Sequence, residues 1–197
     1  VSDRAFDMTD AACRKVWHDQ YVTWSVEERL RVMLDGLNRE IPEPDFGELV
    51  KKIEDMEVEF QPDPAPGALE ALKALQGKYP LAVVSDTVFT PGRNLRKILT
   101  DNGMFECFDH VFFSDGVGHS KPHPAVFEAV AKAFGIAIED IVHIGDRPHN
   151  DIGGAHAVGA RGLLLRVVKQ RDLDGHAPDA VCDHYADLPE VLARMES

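Results

Sequence analysis

From residue 66 onward the sequence alternates strand-like and helix-like segments without a break, and nothing constrains its fold more. Strand-like apolar runs occupy residues 81–86 (LAVVSD), 110–115 (HVFFSD), 141–146 (IVHIGD) and 162–167 (GLLLRV), with a short fifth run at 180–182. Helix-like segments fall at 67–76, 91–102, 124–134 and 151–158, and another closes the chain. A strand that is apolar on both faces has to be covered on both faces. Strands of this kind separated by helices predict a parallel α/β sheet with right-handed crossovers and helices on either side. Ligands of such sheets bind beyond the carboxyl ends of the strands. Three of the expected strands run into a polar tip and a loop there: Ser85-Asp86, Ser114-Asp115 and Gly145-Asp146.

Residues 1–62 follow a different period. Phe6, Cys13, Val16, Trp17 and Tyr21 make a helical stripe over 3–21, and Ser25 with Glu28 forms a capping-box pattern ahead of Val26, Leu30, Val32, Met33, Leu34 and Leu37. Ile41-Pro42-Glu43-Pro44 breaks the chain, and a third helix is expected from about 45 towards 60, with Phe46, Leu49, Val50, Ile53 and Met56 on its apolar face. Pro62, Pro64 and Pro66 then form a stiff connector. The expected division is a helical unit over 1–62 and an α/β unit over 63–197.

Charge narrows the partners. Lys and Arg total 21 against 34 Asp and Glu, a formal net charge of -13. That balance excludes nucleic-acid backbones and anionic membrane surfaces as expected partners, since both need a basic face. It leaves room for a phosphorylated small molecule at a locally positive site. No apolar run reaches bilayer length, the first residues lack the basic and apolar regions of a signal peptide, and Cys13, Cys107 and Cys182 are far apart. Reduced thiols and a cytoplasmic location are the expectation.

The strand tips offer three candidate constellations. Asp146 and Asp151 lie five residues apart across a strand-to-helix loop, where two carboxylates can converge on a hard cation such as magnesium. The plainer reading is that Asp146 ends a strand and Asp151 caps a helix. In Ser120-Lys121-Pro122-His123-Pro124 the lysine is held by its neighbours and suits a phosphate or a carboxylate; the plainer reading is a turn that contains a lysine. Ser85, Asp86 and Thr87, followed by the N–H groups of a loop entering a helix, can hold phosphate oxygens or can simply cap that helix. His119, His123, His143 and His149 lack the close helical pair of a zinc site.

Ser85, Lys121, Asp146 and Asp151 occur in this order at successive strand ends, spaced by 36, 25 and 5 residues. In this the sequence resembles the haloacid dehalogenase-like (HAD) hydrolase superfamily. Val-Val-Ser-Asp-Thr resembles its second motif, Ser-Lys-Pro-His-Pro its third, and Gly-Asp-Arg-Pro-His-Asn-Asp-Ile-Gly-Gly-Ala its fourth. The resemblance covers roughly residues 66–190, and the helical first segment looks like the superfamily's small cap. It implies a Rossmannoid parallel core and a magnesium-dependent phosphatase of a small phosphorylated metabolite, working through an aspartyl-phosphate. By the same resemblance Ser85 would hydrogen-bond the phosphoryl group, Lys121 would stabilise it, and Asp146 and Asp151 would bind or orient the magnesium. Haloacid dehalogenation is the minor alternative. A catalytically silent binding or assembly protein is the alternative from another class.

One part of the superfamily pattern has no counterpart. Its first motif, a strand ending in Asp-x-Asp, supplies the nucleophile, and no such strand precedes the helical segment. The single candidate is Asp7 in Ala5-Phe6-Asp7-Met8-Thr9-Asp10, which lies on a helical stripe. The expectation is a truncated chain that begins downstream of the motif. The absent strand belongs between those ending at Ser85-Asp86 and Gly145-Asp146. Its loss would leave interior strands unpaired, to be remedied by direct pairing, by a donated strand or, as favoured, by a homodimer.

Overall fold

In the computed structural model, which describes residues 2–196, four helices come first: α1 (Ser2–Gln20), α2 (Val26–Leu37), α3 (Glu43–Glu54) and α4 (Met56–Glu59). The capping box opens α2 as its sequence pattern requires: the Glu28 N–H donates to the Ser25 side chain, and the Ser25 N–H donates to the Glu28 carboxylate. The single helix expected over about 45–60 is broken at Asp55. The cause lies forty residues away, where buried Asn94 donates from Nδ2 to the Glu54 carbonyl and to Asp55 Oδ1, each at 2.8 Å. With that carbonyl engaged from outside, the Val58 N–H turns to Asp55 instead.

Then α5 (Ala68–Leu75) begins the alternation: β1 (Ala82–Ser85), α6 (Gly92–Asp101), β2 (His110–Phe113), α7 (Ser114–Val117), α8 (Pro124–Phe134), β3 (Val142–Gly145), α9 (Gly154–Ala157), β4 (Arg161–Leu165), β5 (Ala180–Cys182) and α10 (Leu188–Met195). All strand pairings are parallel. Two expectations need correcting. Ser114-Asp115 is not a strand tip, because β2 ends at Phe113 and Ser114 starts the short α7. Asp115 Oδ2 accepts the Gly92 N–H at 2.7 Å, serving the start of α6. The helix expected over 151–158 is a wide π-type turn, Pro148–Gly153, followed by one α turn.

The pairing is interrupted between β1 and β3. β1 pairs only with β2, and β3, β4 and β5 form a separate sheet, so among the described residues no strand joins β1 to β3. Burial records the interruption. All four residues of β1 are half-buried, and so are Val142, Ile144 and Gly145 of β3, whereas Gly162 to Leu165 of β4 are buried. Direct pairing of the two flanking strands, one of the three expected remedies, is not what the chain does.

Helices hold the halves together instead. Val126, Phe127, Val130 and Ala131 of α8 form one cluster with Ile141, Ala155 and Ala160, and Ala82, Val84 and Phe112 from the other sheet pack on it. On the opposite face, Ala71 and Leu75 of α5 meet Leu163, Leu165, Cys182 and α10. The helical N-terminal segment reaches the α/β part through the Ser120 N–H, which donates to the Tyr21 carbonyl at 2.7 Å, and through the Thr23–Ser120 hydroxyl contact. Arg29 stacks over Phe89 at 5.2 Å. Among the described residues no helix is long and apolar enough to cross a membrane.

Candidate active site

The chain's most consequential polar contacts gather where the gap between β1 and β3 meets the carboxyl ends of those strands. Lys121 reaches it from the segment ahead of α8. Its backbone N–H donates to Asp86 Oδ1 at 2.9 Å, which fixes the lysine's stem to the end of β1. Its Nζ donates to the Val84 carbonyl at 3.1 Å and lies 3.0 Å from Asp151 Oδ1. The lysine thus bridges the β1 side of the gap to the β3 side. Both side chains are removed from solvent, Lys121 to 12% exposure and Asp151 to 4%.

Asp151 receives three donors. Its Oδ1 takes Lys121 and the Nε2 of His143 at 3.1 Å, and its Oδ2 accepts the Arg147 N–H at 2.9 Å. Burial alone would raise its pKa; the His143 hydrogen bond, the Lys121 charge and the Arg147 N–H outweigh burial and hold the carboxyl far below the usual carboxylate range. His143 moves down from its ordinary value, chiefly because burial disfavours its charged form. It is therefore a neutral imidazole at neutral pH, donating Nε2–H to the carboxylate. Gly145 makes room for this cluster: a Cβ there would stand 2.2 Å from the Asp151 carboxyl carbon. The glycine is needed for close approach rather than for an unusual turn. Gly154 plays a similar part, its missing Cβ leaving space for Pro122 at 2.8 Å.

The remaining expected residues divide. Ser85, at the tip of β1, is half-buried, and its hydroxyl has no partner among the described residues. Asp86 and Thr87 are engaged within the protein: Asp86 anchors the Lys121 backbone, and buried Thr87 turns both its N–H and its hydroxyl to Ser114 Oγ, at 2.8 and 2.9 Å. Asp146 is half-exposed and paired with Arg171 Nε at 3.1 Å. Asp7 is exposed on α1, and no contact joins it to Ser85, Lys121, Asp146 or Asp151.

Two participants were not expected in these roles: His143 was weighed only among the histidines of a zinc site, and Arg171 was not named. The signal for His143 was present, since a histidine inside an apolar strand has to find a partner when buried. Arg171 carried no local signal, because it reaches Asp146 from the loop after β4.

Tested against these atoms, a magnesium ion finds one solvent-accessible carboxylate, Asp146, which also meets Arg171, because Asp151 is buried and already takes Lys121, His143 and the Arg147 N–H. Among the described residues no group of three His, Cys, Asp or Glu side chains could hold a metal. Magnesium commonly takes one or two carboxylates and completes its shell with waters and phosphate oxygens. Asp146 fits as one such ligand and Asp151 as a group that orients the turn carrying it.

Parallel strands with Ser85 at the tip of one and Asp146 just past another, and loops that bring Lys121 and Asp151 to the same end, define an α/β protein of the Rossmann-like class, whose ligands generally bind at the strand carboxyl ends. The haloacid dehalogenase-like hydrolase family matches residues 7–159, and the chain belongs to that family. It is 32% identical over 132 residues to a glyceraldehyde 3-phosphate phosphatase of Pyrococcus furiosus, covering 66% of this chain and 54% of that protein. It is 35% identical over 98 residues to a phosphoserine phosphatase of Thermus thermophilus, covering 49% of this chain and 38% of that protein. The chain therefore spans about half or less of these curated relatives. Its fold is shared with a 2-haloacid dehalogenase of Pseudomonas syringae pv. Tomato, with a TM-score of 0.67 and 23% identity over 97% of this chain and 92% of that one.

Proposed function

We propose that this chain carries the binding half of a magnesium-dependent phosphatase of a small phosphorylated metabolite. The observation that carries the reading is Lys121: a partly buried ammonium held at the mouth of the gap by Asp151 and by the carbonyl of Val84, the residue before Ser85, whose hydroxyl has no partner among the described residues. A phosphoryl group seated there would accept the Ser85 hydroxyl and the Lys121 ammonium, and the lysine would meet the negative charge that grows on the phosphoryl oxygens in the transition state. Val84, Asp86 and Asp151 fix the lysine before substrate arrives, which removes a reorganisation step. Asp146 would hold magnesium, whose chemistry there is neutralisation of phosphoryl charge. The nucleophile is the missing part, and we place it on a strand that fills the gap between β1 and β3, its carboxylate next to Lys121. That carboxylate would attack phosphorus and release the alcohol. Water would then hydrolyse the aspartyl-phosphate to inorganic phosphate.

One observation favours a second reading, a silent binding protein: among the described residues no nucleophilic carboxylate stands free beside Lys121. Calorimetry with inorganic phosphate, run beside phosphate release from p-nitrophenyl phosphate, separates the two. Turnover by this chain once it is joined to a strand ending in Asp-x-Asp, lost in Lys121→Ala, supports the enzyme. Binding without turnover even with that strand supplied, lost in Lys121→Ala and Ser85→Ala, supports the silent protein. Absence of phosphate binding in the unsubstituted chain overturns both.

A further inference from the structure

Beside Asp146 the surface opens into a cavity of about 540 Å³ between the π-type turn and the loop after β4. That volume lies within the range of small-molecule sites, roughly 300–1,000 Å³. Arg147, Asn150, Lys169 and Arg171 line it, with Asp172 and Asp174. Three features of the lining bear on what it takes. Arg147 and Lys169 make no ion pair among the described residues, and Arg171 is held only by the half-exposed Asp146. With Arg171 balanced by Asp146, the other two cations, Arg147 and Lys169, stand against Asp172 and Asp174 with no net charge, in a chain whose overall charge is -13. Asn150 is 5% exposed, yet its Nδ2 has no hydrogen-bond acceptor, although a buried amide donor is costly to leave unpaired.

We propose that this cavity is a second subsite, which binds a carboxylate carried by the same phosphorylated substrate. The inference rests on the phosphatase reading, because it takes the phosphoryl end to lie at Ser85 and Lys121. A lining with two cations outside ion pairs but no net excess of positive charge suits a monoanionic carboxylate better than a second phosphate dianion. Arg147 and Lys169 supply charge-assisted hydrogen bonds, and the Asn150 amide supplies a donor that at present has nothing to donate to. Asp146 connects the two ends: it belongs to the candidate metal site, it directly precedes Arg147, and it holds Arg171. A small phosphomonoester bearing a carboxylate is thus the substrate class selected, and the specificity resides in Arg147 and Lys169, outside the phosphoryl site.

The test compares 3-phosphoglycerate with glycerol 3-phosphate, which share the phosphate and the carbon skeleton and differ in a carboxylate. Calorimetry on the unsubstituted chain should show 3-phosphoglycerate binding about tenfold more tightly, the size of one charge-assisted hydrogen bond. Arg147→Gln and Lys169→Gln should each erase most of that preference while leaving glycerol 3-phosphate affinity unchanged. Loss of affinity for both ligands alike would mean a structural or general electrostatic effect and would overturn the proposal. Equal affinity for the two ligands in the unsubstituted chain overturns the subsite alone and leaves the phosphoryl site standing. Failure of both ligands to bind overturns the subsite together with the reading beneath it.

Discussion

Replacing Asp151 by asparagine should destabilise the fold by about 3 kcal/mol, at the low end of the cost of orphaning one member of a buried ion pair. The number follows from the geometry. At 3.0 Å, the Lys121–Asp151 separation, two unit charges in an effective dielectric of about 20 attract by roughly 5 kcal/mol. Part of this is recovered in Asp151→Asn, because the ammonium keeps the Val84 carbonyl at 3.1 Å. The amide makes the loss worse in another way. Asp151 receives donors on both oxygens, Lys121 and His143 on one and the Arg147 N–H on the other, so an NH₂ group in place of either oxygen faces a donor.

In a chain of this length each kcal/mol moves Tm by about 2–4 °C, so the expected fall is about 6–12 °C. Urea denaturation followed by far-UV circular dichroism near neutral pH measures it directly. The pH dependence supplies a second readout with a definite sign. The folded pKa of Asp151 lies far below its unfolded value of about 4. Its stabilisation is therefore fully present above about pH 4 and is lost as pH falls towards the folded value. Wild type and Asp151→Asn should consequently converge in acid. Adding Lys121→Met to the variant removes the orphaned charge and should recover part of the loss. A penalty under about 1 kcal/mol, with parallel pH profiles, would refute the reasoning.

Three further outcomes are expected. Gly145→Ala forces a Cβ to within 2.2 Å of the Asp151 carboxyl carbon, so the urea midpoint should fall by the equivalent of about 2 kcal/mol or more, and an unchanged midpoint would show that the turn yields freely. Asp146→Asn should weaken magnesium binding in titration calorimetry; equal heats in both proteins would remove Asp146 as the metal's ligand. Sedimentation equilibrium at micromolar concentration should find a homodimer, because β1 and β3 have open edges and Phe6, Met8 and Phe60 are exposed; a clean monomer would show that these edges are stable without a second copy.

The α/β alternation was legible because each strand is an apolar run and each helix has its own period. The α2 start was legible because the Ser25–Glu28 box is a local device. What escaped was non-local. The break at Asp55 depends on Asn94, and no Gly or Pro marks it. Asp146 and Asp151 looked equivalent by spacing, yet one is half-exposed beside Arg171 and the other is buried under three donors. Asp86 and Thr87 have the right residue types for a phosphate loop, but Lys121 and Ser114 engage them first. In each case a side chain from a distant segment decided between two chemically reasonable roles.

The gap between β1 and β3 persists because closing it would dismantle what surrounds it. Bringing the two strands into register requires removing about 4.8 Å of separation per missing strand interval. On one face α8 packs simultaneously against Val84 and Phe112 of one sheet and against Ile141 and Ala155 beside the other. At the carboxyl end Lys121 sits wedged between Val84 and Asp151, so closure would also expel a buried cation from both its partners. A strand entering the gap instead meets two open edges, so it can form ladder hydrogen bonds on both sides, as an interior strand does and an edge strand cannot. At its carboxyl end it would find an ammonium already aligned and only partly neutralised. An acidic residue there would extend the Asp151–Lys121 pair into a triad, and the same contact that seats the strand would place a carboxylate next to the proposed phosphoryl site.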